Sequence, residues 1–262
     1  MSWAYMVLFS FIQGFTEFLP VSSSAHLLTL PHILGGPDQG LVMDIAAHAG
    51  SLLAVLATFR KRAFETAAAL FSSKKSAARD LVLKLSVATA PFALVASIMF
   101  LTDINLFRHP AIAVFTLAVF GILLWAADRR FHGEKDERGL SFKDALIIGC
   151  GQALAVVPGV SRSGICLTFG LARGMGRKAA VEFAFLLSIP TMTLAGAGAT
   201  LEYMKEGAQA PALHIVSVGA LSFLFSLAAI RLMLAWVSKF SLAAFAAYRI
   251  VLAALLAHLL FW

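Results

Sequence analysis

Apolar residues run almost without interruption along this chain in stretches of about 20, the length of helix that crosses a ~30 Å hydrocarbon core at 1.5 Å per residue. Candidate spans lie at 41–59, 81–101, 111–127, 178–201, 212–236 and 242–262. Two further apolar stretches, 1–34 and 145–171, are interrupted at their centres. The interruptions are Pro20-Val21-Ser22-Ser23-Ser24-Ala25-His26 and Pro158-Gly159-Val160-Ser161-Arg162-Ser163-Gly164. Neither half of either stretch is long enough to span, so each predicts a helix, a break and a second helix, folded as a re-entrant hairpin. The expected fold is an all-α polytopic membrane protein, with six transmembrane helices plus two re-entrant helix hairpins in a single integral membrane domain over 1–262.

Composition agrees with that reading: 60% of residues are hydrophobic and only 13% charged, against roughly a quarter charged in soluble domains. A net charge of +7 would suggest nucleic acid in a soluble protein, but here the charges cluster in loops, and no nucleic-acid partner is expected. Loops rich in Lys and Arg stay cytoplasmic. The loop with Arg60, Lys61, Arg62, Lys74, Lys75 and Arg79 and the loop with Arg129, Arg130, Lys135, Arg138 and Lys143 are therefore expected inside. The tips carrying Asp103 with Arg108, and Glu202 and Glu206 with Lys205, are expected outside. The first serine element then enters from outside and the second, flanked by Arg173, Arg177 and Lys178, from inside. The N-terminal stretch lacks a basic leader region and a convincing cleavage site, so it is expected to belong to the mature fold. Cys150 and Cys166 fall in apolar segments and read as packing residues.

The two halves resemble one another. At an offset of 139, Gln13 falls on Gln152, Val21 on Val160, Ser22 on Ser161 and Ser24 on Ser163. Halves of about 1–130 and 140–262, each with three spans and one hairpin, would run in opposite orientations. Such an inverted repeat places its site near the midplane, where broken helices meet.

The breaks carry the chemistry. A helix that starts within the bilayer presents unpaired N–H groups and the positive end of its dipole, which suit an anion. Ser22, Ser23, Ser24, Ser161 and Ser163 add hydroxyl donors, Gly159 allows close backbone approach, and Arg162 adds a planar fork that matches phosphate oxygens. A phosphorylated lipid is the expected ligand. The alternative is that the serines only cap helices and Arg162 only pairs with a core carboxylate. Glu17 lies four residues after Gln13 on one helix face. A carboxylate and carboxamide so placed could hold Mg2+ or another hard cation with phosphate oxygens and water, or Glu17 could pair with Arg162 or His26. His26 follows Ser23 by three residues and could exchange a proton with it, making Ser23 a candidate nucleophile; a structural histidine is the alternative. Asp44, His48, Glu182, Arg231 and Arg249 are further ionisable residues in or near spans, with site support and structural pairing both open.

These residues resemble the undecaprenyl-pyrophosphate phosphatases of the bacitracin-resistance type. The run from Gln13 through Glu17 to Ser22-Ser23-Ser24-Ala25-His26 is similar to the family's first signature, and Pro158-Gly159-Val160-Ser161-Arg162-Ser163-Gly164 to its second. Likeness continues through His48 to Val55, Glu182 to Pro190 and Tyr248-Arg249. The resemblance implies an enzyme that converts the C55 isoprenyl diphosphate carrier to its monophosphate for reuse in envelope synthesis. It also implies interlocked inverted repeats, dependence on a divalent cation, Mg2+ or Ca2+, and a site facing the outer side of the bacterial inner membrane. Glu17 with Gln13 would be the acidic, metal-binding motif, Ser23 and His26 the reactive pair, and Arg162 with Ser161 and Ser163 the diphosphate clamp. Gln13 stands where many members have Glu, Ala25 where Gly is usual, and Cys166 where Thr is usual, with Thr168 nearby. A transporter or flippase of the same lipid is the rival class, because discontinuous helices in inverted repeats are also transporter architecture. The soluble-type lipid phosphatase superfamily fits less well, since its basic first motif has no counterpart here. Membrane lipids are the expected surroundings, and a homodimer is left open.

Overall fold

A computed structural model describes residues 2–34, 39–72, 75–102, 109–206 and 210–261. Its helices are α1 (Trp3–Phe18), α2 (Ser23–Leu34), α3 (Leu41–Thr58), α4 (Arg60–Leu70), α5 (Ala77–Thr102), α6 (Pro110–Arg130), α7 (Phe142–Ala153), α8 (Arg162–Ala172), α9 (Arg177–Glu206), α10 (Ala212–Val237) and α11 (Ala243–Phe261), with a 3-10 turn, Leu154–Val156, after α7. The described residues form no strand, only an isolated bridge between Lys135 and Met175. Six of the helices, α3, α5, α6, α9, α10 and α11, are long and apolar enough to cross a membrane. Large apolar side chains such as Phe115, Val216 and Val251 are two-thirds exposed on their outer faces, as expected where lipid rather than water is the solvent. The chain is an all-α polytopic membrane protein.

The sequence placed these six spans within a few residues, but two expectations need correction. The helices outrun the apolar windows: α5 begins at Ala77 rather than 81 and α9 continues to Glu206 rather than 201. Backbone hydrogen bonding does not stop where hydropathy does, and Pro91 and Pro190 sit inside their helices without ending them. The basic segment after α3, expected to be a loop, contains α4 instead; its Arg, Lys, Glu and Ala residues are all good helix formers. Lys74 and the tips at 103–108 and 207–209, with the expected Asp103 and Arg108, lie outside the described residues.

Helix packing crosses between the two halves of the chain. α10 packs on both α1 and α3, α5 packs on α7, and α6 packs on α11. Small residues permit the closest approaches. A Cβ at Gly50 would collide with the carbonyl of Gly219, and one at Gly149 with the backbone of Ala88, the kind of contact that substitutes for hydrophobic driving force inside a bilayer. Ser226 ties the same region together, donating at 3.0 Å to the Gly14 carbonyl and lying 3.0 Å from the Ser51 hydroxyl.

Several of the loop charges are paired. Arg62 reaches Glu137 at 2.6 Å and Glu182 at 2.9 Å, Arg173 reaches Asp144 at 2.6 Å, and Arg177 reaches Asp128 at 2.5 Å. Glu182 thus serves this belt, not the serine elements.

Candidate active site

The two serine elements fold alike. Ser22 and Ser161 are the two non-glycine residues with left-handed backbone among those described, at φ 72° and 70°. Each hydroxyl turns back to accept from the third N–H onward, Ser22 from Ala25 at 3.4 Å and Ser161 from Gly164 at 3.2 Å. Each also lies near the next serine but one: Ser22 and Ser24 are 3.1 Å apart, Ser161 and Ser163 3.2 Å apart. A left-handed non-glycine residue is strained, and in both elements it falls immediately before the second helix, α2 after Ser22 and α8 after Ser161.

The turns meet. Ser163 donates to the Leu19 carbonyl at 2.9 Å, and the Gly159 N–H donates to Ser24 at 3.3 Å. Gly159 has φ 89°, and a Cβ there would strike Thr116 and the Ala113 backbone. Arg249, fully buried on α11, donates to the carbonyls of Gly159 at 2.8 Å and Val160 at 3.0 Å, with a longer contact of 3.5 Å to Pro20. Its charge is matched by carbonyl dipoles freed by both breaks, so Arg249 is a positioning residue between them.

Glu17 is the hub of the polar floor. Its Oε1 accepts from Arg162 at 2.9 Å, and its Oε2 accepts from Ser23 at 2.8 Å and from the Gln13 carboxamide at 3.1 Å. The His48 Nε2 stands 3.9 Å away. Arg162 donates a second bond to the Ala184 carbonyl at 3.2 Å and stacks 5.9 Å above the Phe18 ring. Glu17 and Arg162 side chains are nine-tenths buried, where leaving either unpaired would be costly.

This floor closes one end of a cavity of about 320 Å³. Glu17, Ser23, Ser24, Asp44, His48, Ser161 and Arg162 supply its polar lining, while Leu41, Ile45, Phe92, Met192, Ala195, Gly196 and Ala199 supply an apolar wall. The sequence-selected residues therefore fall into three groups apart from His26. Glu17, Ser23, Ser24, Ser161 and Arg162 line the cavity; Ser22, Gly159 and Ser163 build the turns beneath it; Gln13 is buried behind Glu17. Ser23 and His26, the expected reactive pair, do not bond one another in this structure: Ser23 donates to Glu17. Helical spacing sets the side of the helix but not the rotamer, and the His26 ring folds back so that Nδ1 lies 2.7 Å from the Ser22 carbonyl and Nε2 2.7 Å from the Tyr248 hydroxyl.

The imidazole at the cavity is His48, held through Nδ1 at 2.8 Å from the Asp44 carbonyl. Sequence alone marked it only as an ionisable residue in a span. Thr116, whose hydroxyl donates to Pro158 at 2.5 Å, carried no distinguishing signal, and Tyr248 was marked only by the family likeness. Cys166 packs near the Gln152 carboxamide at 3.7 Å and Thr168 bonds its own helix at 2.9 Å, so neither faces the cavity. Arg231 lines a separate surface recess with Arg60, Lys61 and Arg62.

The fold and floor define a class: an integral membrane protein with a polar pocket holding a buried Arg162–Glu17 pair, built from two broken helices, that opens onto apolar side chains. The chain belongs to the family described as bacitracin resistance protein BacA, whose model matches residues 6–255. It is similar to the undecaprenyl-diphosphatase of Alteromonas mediterranea, with 37% identity over 260 residues and 98% of each chain covered. It is also similar to undecaprenyl-diphosphatase 2 of Stutzerimonas stutzeri, 39% identical with 96% of each covered. A third relative, the undecaprenyl-diphosphatase of Magnetococcus marinus, is 40% identical over 250 residues, covering 92% of this chain and 93% of its own.

Proposed function

We propose that this protein hydrolyses undecaprenyl diphosphate to undecaprenyl phosphate and inorganic phosphate in the bacterial inner membrane, recycling the carrier for cell-wall synthesis, a reaction whose loss would sensitise the cell to bacitracin. The observation that carries the reading is the single cavity in which Ser23, Glu17 and Arg162 meet at one end and an apolar wall begins at the other. A diphosphate fits the first and a prenyl chain the second.

Glu17 accepts from the Ser23 hydroxyl, so it is the base that this arrangement supplies, in place of the imidazole expected from sequence. Either the Ser23 oxygen or a water held beside it attacks the terminal phosphorus, its proton passing to Glu17, and the bridging P–O bond breaks with its electrons leaving on the prenyl phosphate. If Ser23 attacks, water then adds to the phosphoserine phosphorus, the bond from phosphorus to the Ser23 oxygen breaks as Glu17 returns its proton to that oxygen, and the inorganic phosphate leaves with both protons of the water. Arg162 neutralises charge on the phosphate oxygens, the contribution that dominates phosphoryl transfer.

The residues fit a divalent cation in a limited way. The Gln13 Oε1 is buried without a hydrogen-bond partner, whereas its counterpart on Gln152 accepts from Thr191 at 3.2 Å. The Gln13 Nε2 faces Glu17, so a half-turn of the carboxamide would set this oxygen beside the carboxylate as the hard donors that Mg2+ and Ca2+ prefer. No group of three or more His, Cys, Asp or Glu suited to a metal exists among the described residues, so substrate oxygens and water would complete the shell. A bound cation would supply further charge neutralisation on the diphosphate.

The helix–break–helix segments are read as re-entrant. At 1.5 Å per residue the 16 residues of α1 reach about 24 Å and the 12 of α7 about 18 Å, short of the ~30 Å core. The matching turns and the reciprocal packing of α1 on α10 and α7 on α5 support an inverted repeat; the cavity is lined by the ends of α3 and α9 remote from the basic loops, which supports a site open toward the outer face. Purified protein in detergent should release phosphate from undecaprenyl diphosphate with Mg2+ or Ca2+ added. Binding of the lipid with no release under either cation would overturn the enzyme reading in favour of transport.

A further inference from the structure

The two turns differ in one respect, and it falls at His26. At Ser161 the carbonyl accepts a short backbone bond: the Ile165 N–H donates to it at 2.8 Å. At Ser22 the equivalent bond, from the His26 N–H, is stretched to 3.5 Å. The His26 side chain makes up the loss, its Nδ1 lying 2.7 Å from the same carbonyl. A carbonyl only accepts, so Nδ1 carries the hydrogen. In the neutral ring Nε2 is then an acceptor, and the Tyr248 hydroxyl donates to it at 2.7 Å. The two rings also stack, with centroids 5.8 Å apart and planes within 11°. Both imidazole nitrogens are thereby engaged, and His26 is absent from the cavity lining.

We propose that His26 and Tyr248 are a positioning pair: the imidazole reinforces the stretched backbone bond of the left-handed Ser22 turn, Tyr248 fixes its tautomer, and together they hold Ser23 against Glu17. A strained residue persists only where its surroundings over-determine it, and Ser23 is the next residue in the chain. Its 2.8 Å bond to Glu17 depends on how that turn is closed. Tyr248 precedes Arg249, which grips the carbonyls of the second turn, so consecutive residues of α11 secure both breaks.

The inference rests on the phosphatase reading for its kinetic test, and a second readout is independent of activity. Asn carries a side-chain N–H close to where His presents Nδ1–H, so His26→Asn should retain kcat within about tenfold, the scale of one neutral hydrogen bond, while His26→Ala loses on the order of 100-fold, both at unchanged KM. Tyr248→Phe, which keeps the ring stack, should lower kcat about tenfold in the wild-type background and have little effect in His26→Asn. Amide exchange of the peptide spanning 19–27 should be faster in His26→Ala and Tyr248→Phe and near wild type in His26→Asn. Equal inactivity of His26→Asn and His26→Ala, with wild-type exchange in both, would overturn the proposal and return His26 to proton transfer. A wild-type protein that releases no phosphate would sink the phosphatase reading instead, and the exchange pattern would still decide the role of the pair.

Discussion

Arg162 and Glu17 satisfy one another at 2.9 Å, and the arrangement explains how both charges persist at this depth. A diphosphate entering the cavity would compete with Glu17 for the guanidinium, freeing the carboxylate toward Ser23. Arg162→Lys keeps the charge but loses the planar fork. Its turnover should fall about 100-fold, the scale for removing one preorganised donor from a transition state, and near-normal phosphate release would remove the clamp assignment. The serine motifs made Glu17, Ser23 and Arg162 legible in the sequence, because hydroxyls and charges among apolar residues are costly enough to need a purpose. The partner of His26 was not legible. Tyr248 lies 222 positions away, and only the packing of α2 against α11 brings it near. His48 was hidden for a related reason: its distance from Glu17 is set by α1 and α3 sharing α10, which no local pattern encodes.

Among the elements, spans and breaks could be read directly because each is a local property of hydropathy and turn residues; which helices touch could not. Two glycines show what the contacts add. Gly50 faces the Gly219 carbonyl with no room for a side chain, whereas Gly196 has nothing within 4 Å of a built Cβ and lines the cavity. Gly50→Val should therefore separate α3 from α10 and lower the melting temperature in detergent. Gly196→Leu should fold normally and crowd the apolar wall. Turnover of undecaprenyl diphosphate by Gly196→Leu should drop severalfold or more while that of a short prenyl diphosphate is spared, and equal effects on both would place the prenyl chain elsewhere. At the start of α7, Asp144 completes a capping box with Ser141 and bonds Arg173 at 2.6 Å. Burial alone would raise its pKa, but the Ser141 hydrogen bonds and the Arg173 guanidinium outweigh burial and hold it at about 2, below the ordinary 3.8. Its folded-state value is depressed, so its stabilisation is complete above the ordinary value and is lost as pH falls from there through about 2. Asp144→Asn should lower the melting temperature at pH 7 and flatten its acid dependence in that window. An unchanged pH slope would show that the group does not titrate there.

For the whole molecule, the decisive question is whether the paired helices at the breaks cross the membrane or return to the side they entered. Glu134 follows α6, Glu202 ends the apolar part of α9, and both are exposed. Between them lie α7, α8 and α9. If α7 and α8 turn back at the Ser161 break, only α9 crosses, and the two residues face opposite sides. Were α7 and α8 together one broken span, two crossings would intervene and both residues would face the same side. Cys150 is exposed and Cys166 buried, so a Cys150→Ser background leaves little native labelling. In that background, Glu202→Cys should react with a membrane-impermeant maleimide in intact cells, and Glu134→Cys only after permeabilisation. Reaction of both from one side would refute the re-entrant geometry. The reverse pattern would keep the geometry but invert the molecule, moving the cavity between Ser23 and Arg162 to the cytoplasmic face, where a carrier released on the outer surface could not reach it directly.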